Sequence, residues 1–399
     1  MTQWTRHRLA GIDAARGLAL LGMVAAHTLP RLEADGTLAP AFVLVAGRAS
    51  ALFAVLAGVG LVLLTRWDAA TSARTRARDR VAIVVRAVLL MLLGMLLAEV
   101  DSGVAVILVF YGLMFVLATP FLGLRARALA SLAVGVLVLM PVASHLVRPL
   151  LPAGSGASPG LDFFDGSFWA AASELTLTGF YPALPWMAYL LAGMAVGRLR
   201  LRDRGVAAAL LVGGVLLAVG ARLASGLLLS RAGGLDALRG QPELFGRSLE
   251  QSLVIGLPGI GTTPTGTWWW LAVATPHTAT PFDLATTIGA ALAVIGLCLL
   301  VLPQARIWAM PLLALGGMSL TTYCLHVLLL GTVMPPTMPY AFAAHAVVLT
   351  FTALAWRALV GQGPLELLTQ RLSRQVARLA VPPRRADLAA APLEPPRPH

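Results

Sequence analysis

The sequence contains no lysine, only two cysteines and few charges of either sign: 12% of its 399 residues are charged. A soluble domain carries about a quarter charged residues, so a soluble globular enzyme is excluded first. Cys298 and Cys324 fall within apolar runs, where neither a disulfide framework nor a metal cluster is expected. No group of His, Cys, Asp or Glu has metal-ligand spacing, so no metal site is expected. With lysine absent, the formal net charge of +12 is carried by arginine alone.

What the chain has instead is apolar length. Hydrophobic residues make up 58% of it and the mean hydropathy is +0.81. Val81 to Ala98 and Val206 to Leu229 are apolar almost throughout, with one arginine each, Arg86 and Arg222. Runs of this length cross a hydrocarbon core of about 30 Å as helices. Hydropathy windows predict ten spans, near 9–29, 42–65, 81–99, 104–123, 128–147, 177–197, 205–229, 283–302, 310–331 and 341–360. The expected fold is all-α, a polytopic membrane bundle of about ten transmembrane helices.

The arginines lie mostly between alternate spans, as in the runs Arg74 to Arg80, Arg198 to Arg204 and Arg371 to Arg397. Twenty fall on one side against five on the other, which places both termini in the cytoplasm of a cell-membrane protein. These clusters read as anchors to anionic lipid, so the partner is the bilayer and no nucleic acid is implied. The first apolar stretch contains Asp13 and Arg16 and reads as a retained helix rather than a cleaved signal. Residues 1–375 form one integral-membrane domain, followed at 376–399 by a proline-rich cytoplasmic tail expected to be disordered. Of two long loops, 148–176 and 230–282, the second carries Trp268, Trp269 and Trp270, expected to be interface anchors, with a lid as the alternative.

Ionisable groups at membrane depth face a bundle interior or a water-filled cavity, and they mark function. On the first helix, His27 follows Arg16 by 11 positions, which at about 100° per residue returns to within roughly 20° of the same face. Asp13 stands close to that face, and a plain Asp13–Arg16 neutralisation is the bland alternative. Arg48 on the second span has a similar depth to His27. His277 and Asp283 precede and enter the eighth span, and Ser319, Thr322, Tyr323 and His326 form one stripe of the ninth. His145 and His345 have no evident catalytic partner close in sequence, and packing roles are expected for both. The segment Thr178 to Tyr189 holds Pro182 and Pro185 and could set Tyr181 and Trp186 along a substrate path. Gly193 and Gly197, four apart, point to close helix packing.

The opening Arg8-Leu9-Ala10-Gly11-Ile12-Asp13-Ala14-Ala15-Arg16-Gly17 through Met23 resembles the start of the heparan-α-glucosaminide N-acetyltransferase-like membrane proteins and their bacterial YeiB-type relatives. Gly317 to Tyr323 and Gly363-Pro364-Leu365-Glu366 resemble the YeiB-type C-terminal region, at about 260–375. The wider transmembrane acyltransferase group pairs an arginine with a histidine ten intervening residues later, the separation of Arg16 and His27. The resemblance implies His27 as catalytic base and Arg16 as its companion at the acyl-donor end. The chain departs from the animal enzymes in having no histidine in 29–40, and from the acyltransferase-3 group in offering Arg80 and Arg86 in place of an Arg-x-x-Arg pair.

The reading that follows is an integral-membrane acyltransferase. It takes an acyl group from a cytoplasmic donor, acetyl-CoA or another acyl-CoA, and passes it to a glycan or lipid at the outer face. His27, with His326 or His277 as relay, deprotonates the acceptor; Arg48 and Tyr323 stabilise the oxyanion. Asp13, Ser319, Tyr181, Trp186 and Asp283 complete the expected site, with no permanently bound cofactor. The alternatives are a transporter of a small or lipid-linked solute and a noncatalytic scaffold; an interior without a cavity would favour the scaffold.

Overall fold

The computed structural model describes residues 9–68, 70–239, 241, 249, 252–253, 256, 261–302 and 308–382. Arg6, Arg8, Arg247, Arg306, Arg384, Arg385 and Arg397, and the tail beyond residue 382, lie outside the described residues. The helices are α1 (Ala10–Thr28), α2 (Pro40–Val45), α3 (Arg48–Thr65), α4 (Ala73–Ala98), α5 (Leu108–Ala118), α6 (Ala126–Val147), α7 (Phe168–Ser173), α8 (Ala183–Gly197), α9 (Arg204–Arg231) and α10 (Gly234–Arg239). They continue with α11 (Pro281–Val301), α12 (Met310–Gly317), α13 (Ser319–Thr332), α14 (Ala341–Leu359) and α15 (Pro364–Ala380). No strand occurs among the described residues.

Six of these segments are long and apolar enough to cross a membrane, and the number rises to eight when each of two bent helix pairs is taken as one span. The protein is therefore an all-helical membrane protein. In the span Pro40–Thr65, 67% of the most apolar window is buried, against 17% in Arg204–Arg231 and in Ala341–Leu359. That difference puts α3 at the centre and leaves α9 and α14 presenting apolar side chains outward. Lipid tails are as apolar as leucine, so helices in a membrane associate through close backbone approach rather than a hydrophobic driving force. Gly193 of α8 shows the consequence: a Cβ there would stand 1.9 Å from the Val55 carbonyl oxygen of α3.

Two expected helices are broken. The segment expected at 310–331 is two helices meeting at 86° about Met318, and the one at 177–197 is preceded by a short helical segment, Phe168–Thr178, at 47° to α8. In the second case Pro182 and Pro185 have no N–H to donate at the start of α8. In the first, the side chain that holds the break comes from far along the chain. Glu366 of α15 accepts from the backbone N–H of Leu320 at 2.7 Å and of Thr321 at 3.2 Å, and from the Thr321 hydroxyl at 2.6 Å. An anionic cap also suits the partial positive charge at a helix N-terminus. A hydropathy window registers composition but no cap delivered from another helix.

Helix α15 runs to Ala380, so residues 376–380, assigned to the tail, are helical. Its Thr369, Ser373 and Ala377 are buried, while Leu368, Leu372, Val376 and Leu379 form an exposed apolar stripe. The tryptophan run is not a uniform interface belt either. Trp270 is fully buried, whereas Trp268 is 55% exposed.

Gly193→Val is expected to prevent assembly of α3 with α8, because the obstructing atom is backbone and cannot rotate away; overpacking of this kind costs about 3 kcal/mol or more. Gly135→Ala, where a Cβ meets nothing within 4 Å, should leave the protein monodisperse with an unchanged unfolding temperature. Size-exclusion profiles and thermal unfolding of the two variants in detergent decide it.

Candidate functional site

Two cavities lie end to end along α1. The larger, about 480 Å³, is lined at one end by Asp13, Arg16, Arg66, Arg86, Gln362, Glu366 and Gln370. Its middle is apolar, with Phe53, Leu56, Leu90 and Phe115, and it closes against Met23, Ile107, Tyr111 and Tyr323. The smaller, about 30 Å³, is lined by Met23, His27, Ser50, Ile107, Tyr181, His277 and Tyr323 among others. Met23, Ile107 and Tyr323 belong to both walls. They form the partition between a large chamber rich in guanidinium groups and a small one flanked by two histidines.

Helix α1 supplies side chains to both chambers, as the expected common face of Arg16 and His27 requires. Asp13 is buried and its Oδ1 lies 3.4 Å from Arg16 Nη1, one turn along the helix. Arg86 projects into the large chamber from the middle of α4, and its Nε is buried with no hydrogen-bond partner among the described residues. A buried guanidinium nitrogen left unsatisfied is costly, and here it lies beside space large enough for an anionic ligand.

Tyr323 is part of the partition and its hydroxyl oxygen accepts from the Ile107 N–H at 3.4 Å. Its own O–H proton is therefore available to a group at the junction of the two chambers. Ser319 lines the large chamber at the start of α13. Thr322, on the same helix, is fully buried, with its hydroxyl donated to the Met318 carbonyl at 2.8 Å.

His277 occupies a left-handed backbone position, φ 60°, two residues before Ala279 at φ 52°. Asp283 holds that turn: its Oδ2 accepts from the N–H of Thr278 at 3.1 Å and of Ala279 at 3.0 Å. Asp283 thus shapes the turn rather than lining either chamber. Trp186 also stands behind the site, parallel to the His277 ring with centroids 6.3 Å apart and edge-on to Tyr181 at 5.0 Å. Tyr181 itself reaches the small chamber. Burial pushes the His277 imidazole down from 6.5 to about 4, so the ring is neutral near pH 7. Its Nδ1 is buried and has no partner among the described residues.

Arg48 does not join the site. Its guanidinium donates to the carbonyl oxygens of Val43 and, at 3.3 Å, Leu44, closing the end of α2, and it lines neither chamber. Equal depth along the membrane normal said nothing about which way the side chain turned. His145 packs against Trp268, ring centroids 4.7 Å apart and planes tilted by 37°, and it lines neither chamber. His345, expected to be a packing residue, is buried but hydrogen-bonds to another histidine: its Nδ1 lies 3.1 Å from His326 Nδ1. His326 Nε2 lies in turn 3.0 Å from His27 Nδ1. Arg86, Tyr111, Glu366 and His345 are the site residues that sequence reasoning passed over. Of these, Arg86 carried a signal as a cation within an apolar run, and Glu366 as the end of the motif that opens at Gly363.

Fold and site together define a helical membrane protein with a large internal chamber that shares a wall with a small one lined by two histidines. Against known families, the model for heparan-alpha-glucosaminide N-acetyltransferase, catalytic, matches residues 8–220. That is more than half of the chain, which belongs to this family of membrane acetyltransferases. No curated protein matches the chain. His27, Arg16, Arg86 and Tyr181 lie within the matched segment, whereas His277, Tyr323, His326 and His345 lie beyond it.

A histidine held at about 4 in the folded chain and 6.5 when unfolded contributes no pH dependence well above 6.5. As pH falls from 6.5 towards 4, the unfolded chain takes up a proton that the folded chain refuses, so stability is lost. The fall in unfolding temperature across that window should be smaller in His277→Gln than in the wild type, as read by thermal unfolding at a series of pH values.

Proposed function

We propose that the protein transfers an acyl group, acetyl in the simplest case, from a cytoplasmic acyl-CoA to a hydroxyl or amine of a glycan or lipid at the outer face of the cell membrane. On this reading α1 and Leu108–Gly123 join the eight more apolar spans to make ten, with both termini cytoplasmic. The bilayer and the acceptor are the partners, and no nucleic acid takes part.

The observation that supports the reading is the wall of Met23, Ile107 and Tyr323 that the two chambers share. An acyl-CoA entering the large chamber meets Arg16 and Arg86 with its anionic groups, and its acyl chain points along the apolar middle toward the partition. The thioester carbonyl then stands beside the Tyr323 hydroxyl. Donation of that O–H to the developing oxyanion is the electrostatic contribution available at this point. From the small chamber, the acceptor loses its proton to His27 as its oxygen or nitrogen attacks the carbonyl carbon. Collapse of the tetrahedral intermediate breaks the carbon–sulfur bond, and the CoA thiolate recovers the proton. Neutral His277 serves as a hydrogen-bonding partner for the acceptor. A chamber of about 480 Å³ is not the unbroken interior that would favour a scaffold.

The test is purified protein in nanodiscs with radiolabelled acetyl-CoA and envelope lipid and glycan extracts as acceptors. His27→Ala should lower label transfer by about 100-fold or more, the scale of general base catalysis, with CoA binding retained. Arg86→Gln should weaken CoA binding about tenfold, the worth of one hydrogen bond to a charged group. Folded wild-type protein that neither binds CoA nor transfers label would shift the assignment to a transporter.

A further inference from the structure

His27, His326 and His345 form an unbroken line of hydrogen bonds that ends on a backbone carbonyl. His27 Nδ1 lies 3.0 Å from His326 Nε2, His326 Nδ1 lies 3.1 Å from His345 Nδ1, and His345 Nε2 lies 2.9 Å from the Met334 oxygen. The first two rings are parallel to within 2°, with centroids 5.3 Å apart. His326 and His345 have no solvent exposure. The ring nitrogens point at one another in series, and no group of metal-ligating side chains converges on one point among the described residues.

Proton order follows from the far end. A carbonyl oxygen can only accept, so His345 carries its proton on Nε2. In a neutral imidazole the other nitrogen is then an acceptor, and His326 must donate from Nδ1. His326 Nε2 therefore accepts, and His27 must donate from Nδ1. That leaves the lone pair on His27 Nε2, which has no hydrogen-bond partner among the described residues on a ring that lines the small chamber. The Met334 carbonyl thus selects the one tautomer of His27 that acts as a base.

We propose that His326 and His345 are positioning residues that fix His27 as an Nε2 base and share the charge that it acquires. The proposal rests on the acyl-transfer reading. When the acceptor gives its proton to His27 Nε2, the His27 Nδ1 proton passes to His326 Nε2 and the His326 Nδ1 proton to His345 Nδ1. The cation then sits on His345, whose Nε2–H still points at the Met334 oxygen. An imidazolium at membrane depth is expensive, and on His345 the charge is met by the Met334 oxygen, which accepts from the charged ring. The same steps run backward when the thiolate leaves, returning the proton through His27 Nε2 to give CoA thiol and the acylated acceptor.

The experiment is NMR of protein with isotope-labelled histidine ring nitrogens in nanodiscs, signals being assigned by single substitutions and label transfer from radiolabelled acetyl-CoA measured in parallel. The expected result is the Nδ1–H tautomer for His27 and His326 and the Nε2–H tautomer for His345. In His345→Phe the His27 tautomer should become mixed and transfer should fall about 100-fold. His345→Asn, whose Oδ1 can replace the Nδ1 acceptor but cannot take up a proton, should restore the His27 tautomer and only part of the transfer; it serves as the probe if the Phe variant does not fold, and full transfer in it overturns the charge sharing. Label transfer by wild-type protein with His27 in the Nε2–H form, or a His27 signal indifferent to His345→Phe, overturns the inference and leaves the acyl-transfer reading standing. The three expected tautomers without any label transfer support the proton order and overturn the acyl-transfer reading instead.

Discussion

The contact between α1 and α12 is the constraint on which the site depends. A Cβ on Gly316 would stand 1.7 Å from the Asp13 carbonyl oxygen, and one on Gly17 would stand 2.3 Å from that of Leu312. Only backbones stripped of side chains can approach so closely, and the contact locks the Asp13 end of α1 to the helix that precedes the break at Met318. From there the chain turns by 86°, and α13 brings Tyr323 to the partition and His326 to His27. Without that close approach the arginine chamber and the histidine chamber would have no fixed relation.

Breaks in the helices are where polar chemistry enters this apolar fold. Backbone groups freed at a break need partners, because no water in a hydrocarbon layer can serve them. Glu366 meets that need at the start of α13, and Asp283 does so in the turn that carries His277. Both carboxylates fix backbone that presents other residues, and Glu366 also lines the large chamber itself. Their role explains why the segments Gly317 to Tyr323 and Gly363 to Glu366, distant in sequence, occur as a pair: the Thr321 hydroxyl both donates to Glu366 and accepts from the Leu365 N–H.

Much of the candidate site was legible in one helix. The angular arithmetic from Arg16 to His27 works because both lie on α1, whose periodicity is fixed by local hydrogen bonding. Depth was legible too, since apolar length sets it. Arg48 shows the limit of depth as a guide: it is satisfied by the carbonyls at the end of α2 and turns away from the chambers. His345 shows the opposite failure. Its partner, 19 residues away on another helix, is reached across a turn whose geometry no periodicity encodes.

The sequence by itself determined the membrane environment, the helical class and the polar face of the first helix. These follow from composition and from the 3.6-residue repeat, which act over a few turns of chain. Tertiary structure alone decided that two chambers share a wall, that α12 and α13 are separate helices, and that three histidines stand in line on a carbonyl. Those features depend on the rotation and crossing of helices, which are set by backbone contacts at single glycines and by caps arriving from distant segments, and neither leaves a trace in local hydropathy.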